Sequence, residues 1–408
     1  MNLLFLPKLL PRADIIGGPI LIYHRIKNLS LMGHKITVIA PAYGDMDLKD
    51  RSLEPFCDQI IRIESVKQRS GDEVEDLRRR LKRPRFFLGG DGGFSMEIED
   101  ALKLTVREKH IDAVVAEYSM MGQYIEGGAP LFPANTMSVI SVHECYTKAF
   151  SMRAQKGEDI SEDTIRELFE YEFKMYDAAD RLLSLTQEDA DILTGYSARL
   201  KDKIRVVPHG VDTGFYRPPE EKSWDGSSKN LLYLGNFQHH PNVDAVMNFL
   251  EHCWDKISRQ VSEAKFYAIG YKPPSVLLEV GSKHRNVIVQ EGGDRENVRR
   301  IYWKSDVFVA PIALGTGFRG KLLEAMGCGL PVVATSLAAF GISPVHEEDM
   351  FVADDYDVFS EYVIRLLKDV SLRKRISDNS VILARKFDHK HAAEKLDQVL
   401  REGKGSRC

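Results

Sequence analysis

The stretch Gly315-Thr-Gly-Phe-Arg-Gly-Lys-Leu-Leu-Glu-Ala-Met-Gly-Cys-Gly-Leu-Pro-Val-Val-Ala-Thr335 decides the fold of this chain. An apolar run before it, 307–312, reads as a buried strand, and Pro331 to Ala334 reads as a second one. Between them lie a glycine-rich turn and a helix expected to start near Lys321. A strand, a turn and a helix in this order gather backbone N–H groups at a helix N-terminus, where an anion is held best. Arg319 and Lys321 stand at that terminus, and Glu324 follows one turn later, within reach of a sugar hydroxyl. Anion donors beside a carboxylate suit a nucleotide diphosphate.

Three motifs overlap here. Gly315, Gly317 and Gly320 spell G-x-G-x-x-G, but a dinucleotide fold needs an acid about 20 residues on, at the end of the next strand. That strand ends in Ala334-Thr335-Ser336, and the nearest acids are Glu347 and Glu348. Gly315 to Lys321 also spells most of a P-loop, yet Leu322 stands where a Ser or Thr would ligate magnesium.

The third reading absorbs more residues. The run 322–335 resembles the donor-binding segment of GT-B-fold glycosyltransferases, most closely glycosyltransferase family 4. Arg205 to Pro218, RVVPHGVDTGFYRP, is similar to the family's interdomain segment, with His209 where Asn is usual. Leu231 to Leu250 is similar to the first strand, turn and helix of its C-terminal domain. The opening strand, Gly17-Gly18 and Gly33 to Val38 match its start. The resemblance implies an α/β fold of the GT-B type: two doubly wound Rossmann-like domains facing across a cleft. It implies an acceptor-side domain over 1–210, a nucleotide-sugar domain over 211–380, and a final helix, 381–408, crossing back from Phe387 onward.

Composition agrees. A chain of 408 residues exceeds one ordinary core, and 43% hydrophobic residues is usual for a globular protein. Seven short apolar runs before residue 210 and six after it read as two βα series with parallel sheets. The break between them is polar and turn-rich over 218–228, and the first boundary is placed near residue 210. A net charge of −4 argues against general nucleic-acid binding. Five scattered cysteines without C-x-x-C, no bilayer-length apolar run and no basic leader lead us to expect a reduced cytoplasmic protein, peripheral at most to the inner membrane face.

The resemblance implies transfer of a sugar from a nucleotide diphosphate sugar to a saccharide, lipid-linked or small-molecule hydroxyl, with retention and without metal or cofactor. In that reading Arg319 and Lys321 neutralise the leaving diphosphate and Glu324 binds ribose. Gly315, Thr316, Gly317, Phe318 and Gly320 shape the donor loop, and Gly17 and Gly18 approach phosphate from the other domain. Asn236 lies where the family often has a phosphate-binding base, and the nucleotide base is expected against the backbone of Val289, Gln290 and Glu291. His143, at the end of a buried strand, is placed to contact the donor sugar, with Glu117 as a lesser candidate for holding the acceptor. Thr316 stands eight positions before Glu324, where the family usually carries its first glutamate. That departure keeps two rivals open: a sugar-nucleotide epimerase of the same fold, and a non-catalytic sugar-nucleotide or lipid-binding protein.

Two charged features sit apart. Asp45-Met46-Asp47 spells D-x-D in a polar loop and reads as a solvated turn. Arg78 to Leu88, RRRLKRPRFFL, is the chain's one basic cluster. It would meet anionic lipid with Phe86 and Phe87 inserting, hold an anionic acceptor, or lie solvated on a helix.

Overall fold

A computed structural model describes residues 1–12, 18–64, 69–89, 92–125, 132–133, 135–155, 157–221, 224, 226–315 and 318–405, the last three by backbone only. Gly17, Thr316 and Gly317 therefore lie outside the described residues. The chain divides into two compact units, 1–209 with 389–408, and 210–388.

The first unit holds a parallel sheet of β1 (Asn2–Pro7), β2 (Lys35–Ala42), β3 (Gln59–Glu64), β4 (Ala113–Glu117), β5 (Met137–Val142), β6 (Arg181–Ser184) and β7 (Ile204–Val206), ordered β3-β2-β1-β4-β5-β6-β7. β1 pairs Leu3 with Ile36 on one side and with Ala113 on the other. Because side chains alternate across a strand, Leu3 and Phe5 enter one core while Leu4 and Leu6 enter the other. The second unit repeats the plan with β8 (Asn230–Asn236), β9 (Lys265–Tyr271), β10 (Val287–Glu291), β11 (Val307–Ala310), β12 (Val332–Ala334) and β13 (Phe351–Val352), ordered β10-β9-β8-β11-β12-β13. In each sheet the winding reverses beside the first strand, between β1 and β4 and between β8 and β11. Ligands of doubly wound sheets bind outside the carboxyl ends of strands at such reversals.

The C-terminal stretch differs from the single final helix expected over 381–408. One helix, Val370–Arg385, stops, and another, His389–Gly405, begins. The break is made by backbone pairing: Val211 N–H donates to Phe387 O at 2.8 Å, and Val211 pairs with Asp388. Phe387 thus stays with the second unit, its ring 6.2 Å from that of Phe318, and the chain leaves that unit after Asp388. Helix His389–Gly405 contributes Leu396, Val399 and Leu400 to the core of the first unit.

Candidate active-site residues in each unit

In the second unit β11 leads into the glycine turn. Gly315 has φ of 94°, which favours glycine, and a Cβ there would crowd the Arg319 guanidinium at 3.1 Å and Pro241 at 3.2 Å. Arg319 caps the helix Gly320–Gly327 and donates from Nη2 to Leu314 O at 3.4 Å. Burial lowers its affinity for a proton. Lys321 is half-buried, and burial brings its ammonium down to about 8 despite the nearby Glu324. Among the described residues its Nζ makes no hydrogen bond or ion pair. Two cations at a helix N-terminus oppose the helix dipole unless an anion joins them.

Glu324, also half-buried, is raised by burial against the opposing pull of Lys321 and of the hydrogen bond from Tyr302. Tyr302 Oη donates to Glu324 Oε2 at 3.0 Å from the helix Arg295–Lys304. Tyr216 and Arg295 face the same carboxyl. Arg295 stacks on Phe215 at 4.3 Å and pairs with Asp212 at 3.4 Å. Sequence reasoning missed Tyr302, Tyr216 and Arg295. Tyr302 left a trace, falling seven positions, about two helical turns, after Arg295.

Asn236 ends β8 but is engaged locally: its Oδ1 accepts Gln238 N–H at 3.1 Å and its carbonyl accepts Asn242 Nδ2 at 2.8 Å. Val289, Gln290 and Glu291 lie on the edge strand β10, with Gln290 and Glu291 exposed. Phe318 packs half-buried against the core.

In the first unit, Gly18 opens the helix Gly18–Leu31, but the space beside it belongs to a tyrosine. A Cβ on Gly18 would lie 1.6 Å from Tyr118 Oη. This contact explains the glycine without phosphate. His143 follows β5, and its Nε2 lies 2.7 Å from Glu117 Oε2. Glu117 is fully buried and engaged by Arg25, whose Nη1 reaches its two oxygens at 3.0 and 2.9 Å. The expectation that Glu117 holds an acceptor is therefore corrected: the carboxylate has no face open to solvent. Burial would raise it, but Arg25 and His143 hold it at about 2. Arg25 was legible in hindsight, since it shares a helical stripe with Leu21, Ile22 and Leu29, all buried.

The basic cluster is corrected in part. Phe87 is fully buried and so is not available for insertion into lipid, while Phe86 is half-buried against Tyr146 and Phe150. Helix Gly71–Leu81 ends at Lys82, with φ of 52°. Arg78 pairs with Glu167 at 3.2 Å and Arg80 with Asp76 at 3.1 Å. Arg83 is buried, 4.5 Å over the Phe94 ring. In the D-x-D sequence, Asp47 pairs with Arg12 and Asp45 with Lys49. No group of three or more potential ligand side chains for a metal is found among the described residues. Likewise no helix there is long and apolar enough to cross a membrane.

Comparison with known proteins joins these observations. Residues 17–215 match the family model described as "Glycosyltransferase Family 4", and 228–369 match "Glycosyl transferases group 1". A D-inositol 3-phosphate glycosyltransferase of Corynebacterium efficiens is 24% identical over 65% of this chain and 66% of its own length. Sucrose-phosphate synthase of Thermosynechococcus elongatus superposes with a TM-score of 0.74 at 16% identity, over 98% of this chain and 99% of that one. Anabaena HepE, solved in complex with UDP, does so at 0.65 and 16%, over 98% and 100%. Both superpositions share the GT-B fold seen here as two doubly wound sheets.

Proposed function

This chain belongs to the group 1, family 4 glycosyltransferases, and from that premise we propose that it moves a sugar from a nucleotide diphosphate sugar to an acceptor hydroxyl. The observation that carries the reading is Lys321. A recessed ammonium with no hydrogen bond or ion pair among the described residues, at the start of the helix Gly320–Gly327 and with only the charge of Glu324 nearby, has room for an anion. A diphosphate supplies that charge, and charge-assisted bonds from Arg319 and Lys321 would stabilise it most as it leaves. Glu324, held by Tyr302, faces the ribose hydroxyls in this reading. The edge strand β10 offers backbone groups to the base.

Retention of configuration, a cytoplasmic setting and a role in polysaccharide or glycolipid assembly belong to the same proposal. So does chemistry without metal or cofactor, in which the two cations neutralise the leaving group. The relative named for D-inositol 3-phosphate supports a hydroxyl acceptor of small-molecule size.

Thermal shift and calorimetric titration with UDP, GDP, ADP and TDP test the site. One nucleotide should bind selectively, and Lys321→Ala and Glu324→Ala should each weaken it by roughly 1–3 kcal/mol. Parent-like binding by both variants would refute the placement.

A further inference from the structure

The carboxyl ends of β4 and β5 hold a buried chain of contacts that the donor site does not use. Arg25 donates from Nη1 to both Glu117 oxygens and to Ser141 Oγ at 2.8 Å, and from Nη2 to Val207 O at 3.3 Å. Arg25 and Glu117 are about 1% and 0% exposed, so this pair is sealed. Such a pair is costly to bury unless its geometry is well satisfied. Glu117 then meets His143 Nε2 at 2.7 Å, and the Tyr118 ring stacks on the imidazole at 4.1 Å and 20°. Tyr118 itself has φ of 79°, a strained backbone for a bulky residue, and such strain persists where surrounding contacts over-determine it. One face of the imidazole and one of its nitrogens are thereby fixed.

We propose that Arg25 and Glu117 are positioning residues that lock His143 as its Nε2–H tautomer and present its Nδ1 lone pair as an acceptor for a sugar hydroxyl. An ionised carboxylate can only accept, so the nitrogen facing Glu117 carries the proton. Arg25 already balances the Glu117 charge, and burial lowers the ring's affinity for a proton against the pull of Glu117, which favours a neutral imidazole. The remaining nitrogen, Nδ1, makes no hydrogen bond among the described residues and is not one of the enclosed orphan atoms. In a neutral imidazole the partner of one nitrogen sets the role of the other. The tautomer rests on the Glu117 contact together with a neutral ring; the sugar hydroxyl rests on the glycosyltransferase reading.

Nitrogen-15 spectra of the full chain, labelled at histidine, test both parts, with His143→Gln identifying the His143 signals. At pH 7 we expect a protonated Nε2 and an unprotonated Nδ1. A ring protonated at Nδ1, or at both nitrogens, overturns the proposal without touching nucleotide binding, which is read separately by titration. Glu117→Gln, whose amide can donate or accept, should give a mixture of tautomers, and Glu117→Asp should restore the single form. A single Nε2–H form in Glu117→Gln as well would remove the positioning role. If that variant does not fold, the parent spectrum still decides. UDP-glucose, UDP-N-acetylglucosamine and GDP-mannose are then added, each against its nucleoside diphosphate. At least one should move the Nδ1 signal beyond its parent nucleotide; no movement from any of the three overturns the acceptor role.

Discussion

Lys321 and Glu324 lie three positions apart on one helix turn, yet burial drives them toward neutrality from opposite sides. For a lysine held at about 8 when folded and near its ordinary value of 10.5 when unfolded, the charged form is penalised in the native state. That penalty is fully present below pH 8 and is relieved as pH rises toward 10.5, so the lysine's own contribution to stability grows over this window. Diphosphate binding has the reverse sign, because it needs the charge. Affinity for the selected nucleotide should therefore fall as pH rises through about 8. Lys321→Arg, which stays charged, should flatten that fall in titrations between pH 7 and 9.5. A parent affinity constant over this range would remove Lys321 from the phosphate site. The need for a partner at Glu324 was legible from its apolar neighbours Leu322, Leu323, Ala325 and Met326. The identity of that partner was not, since Tyr302 lies 22 positions away. Glu117 was misread for the same reason: its cation is Arg25, 92 positions earlier, and no local pattern joins them.

Among the elements, strands were the most legible. Runs such as Val114 to Ala116 and Val307 to Ala310 are apolar on both faces, as a doubly covered parallel sheet demands, and they appear where the pattern puts them. The break at 386–388 was not legible, because no glycine or proline marks it and the cause is pairing with Val211. A second element-level feature comes from distant packing. The helix Tyr146–Gln155 begins on a carboxylate supplied by another helix, Glu162–Ala178: Glu172, fully buried, accepts from Tyr146 N–H at 2.9 Å, Thr147 N–H at 2.8 Å and Tyr176 Oη at 2.8 Å. Glu172→Gln turns some of these acceptor contacts into donor clashes inside the core. It should lower the stability of the first unit by about 1–3 kcal/mol in urea unfolding, with nucleotide affinity unchanged. Stability equal to the parent would show that the helix start does not depend on the carboxylate.

On the scale of the molecule, each unit has its own core, and unfolding should show it. Calorimetry should resolve two transitions, with a bound nucleoside diphosphate raising one of them by mass action. Leu396→Ala, in the helix His389–Gly405, should lower the other by roughly 2–5 kcal/mol and leave the nucleotide-sensitive transition in place. A single transition shifted by both perturbations would contradict this independence. The two-domain plan was readable from the two βα series; the helix's place in the first core was readable only through family resemblance. That place has a consequence for synthesis. The second unit is spelled by one uninterrupted stretch, 210–388, while the first needs residues from both ends of the chain. Synthesis in chain order therefore completes the stretch 210–388 before it reaches Leu396, Val399 and Leu400, which share a core with Leu3, Phe5 and Ile22 in the first. Until those three residues emerge, the half whose strands were made first keeps part of its apolar core bare.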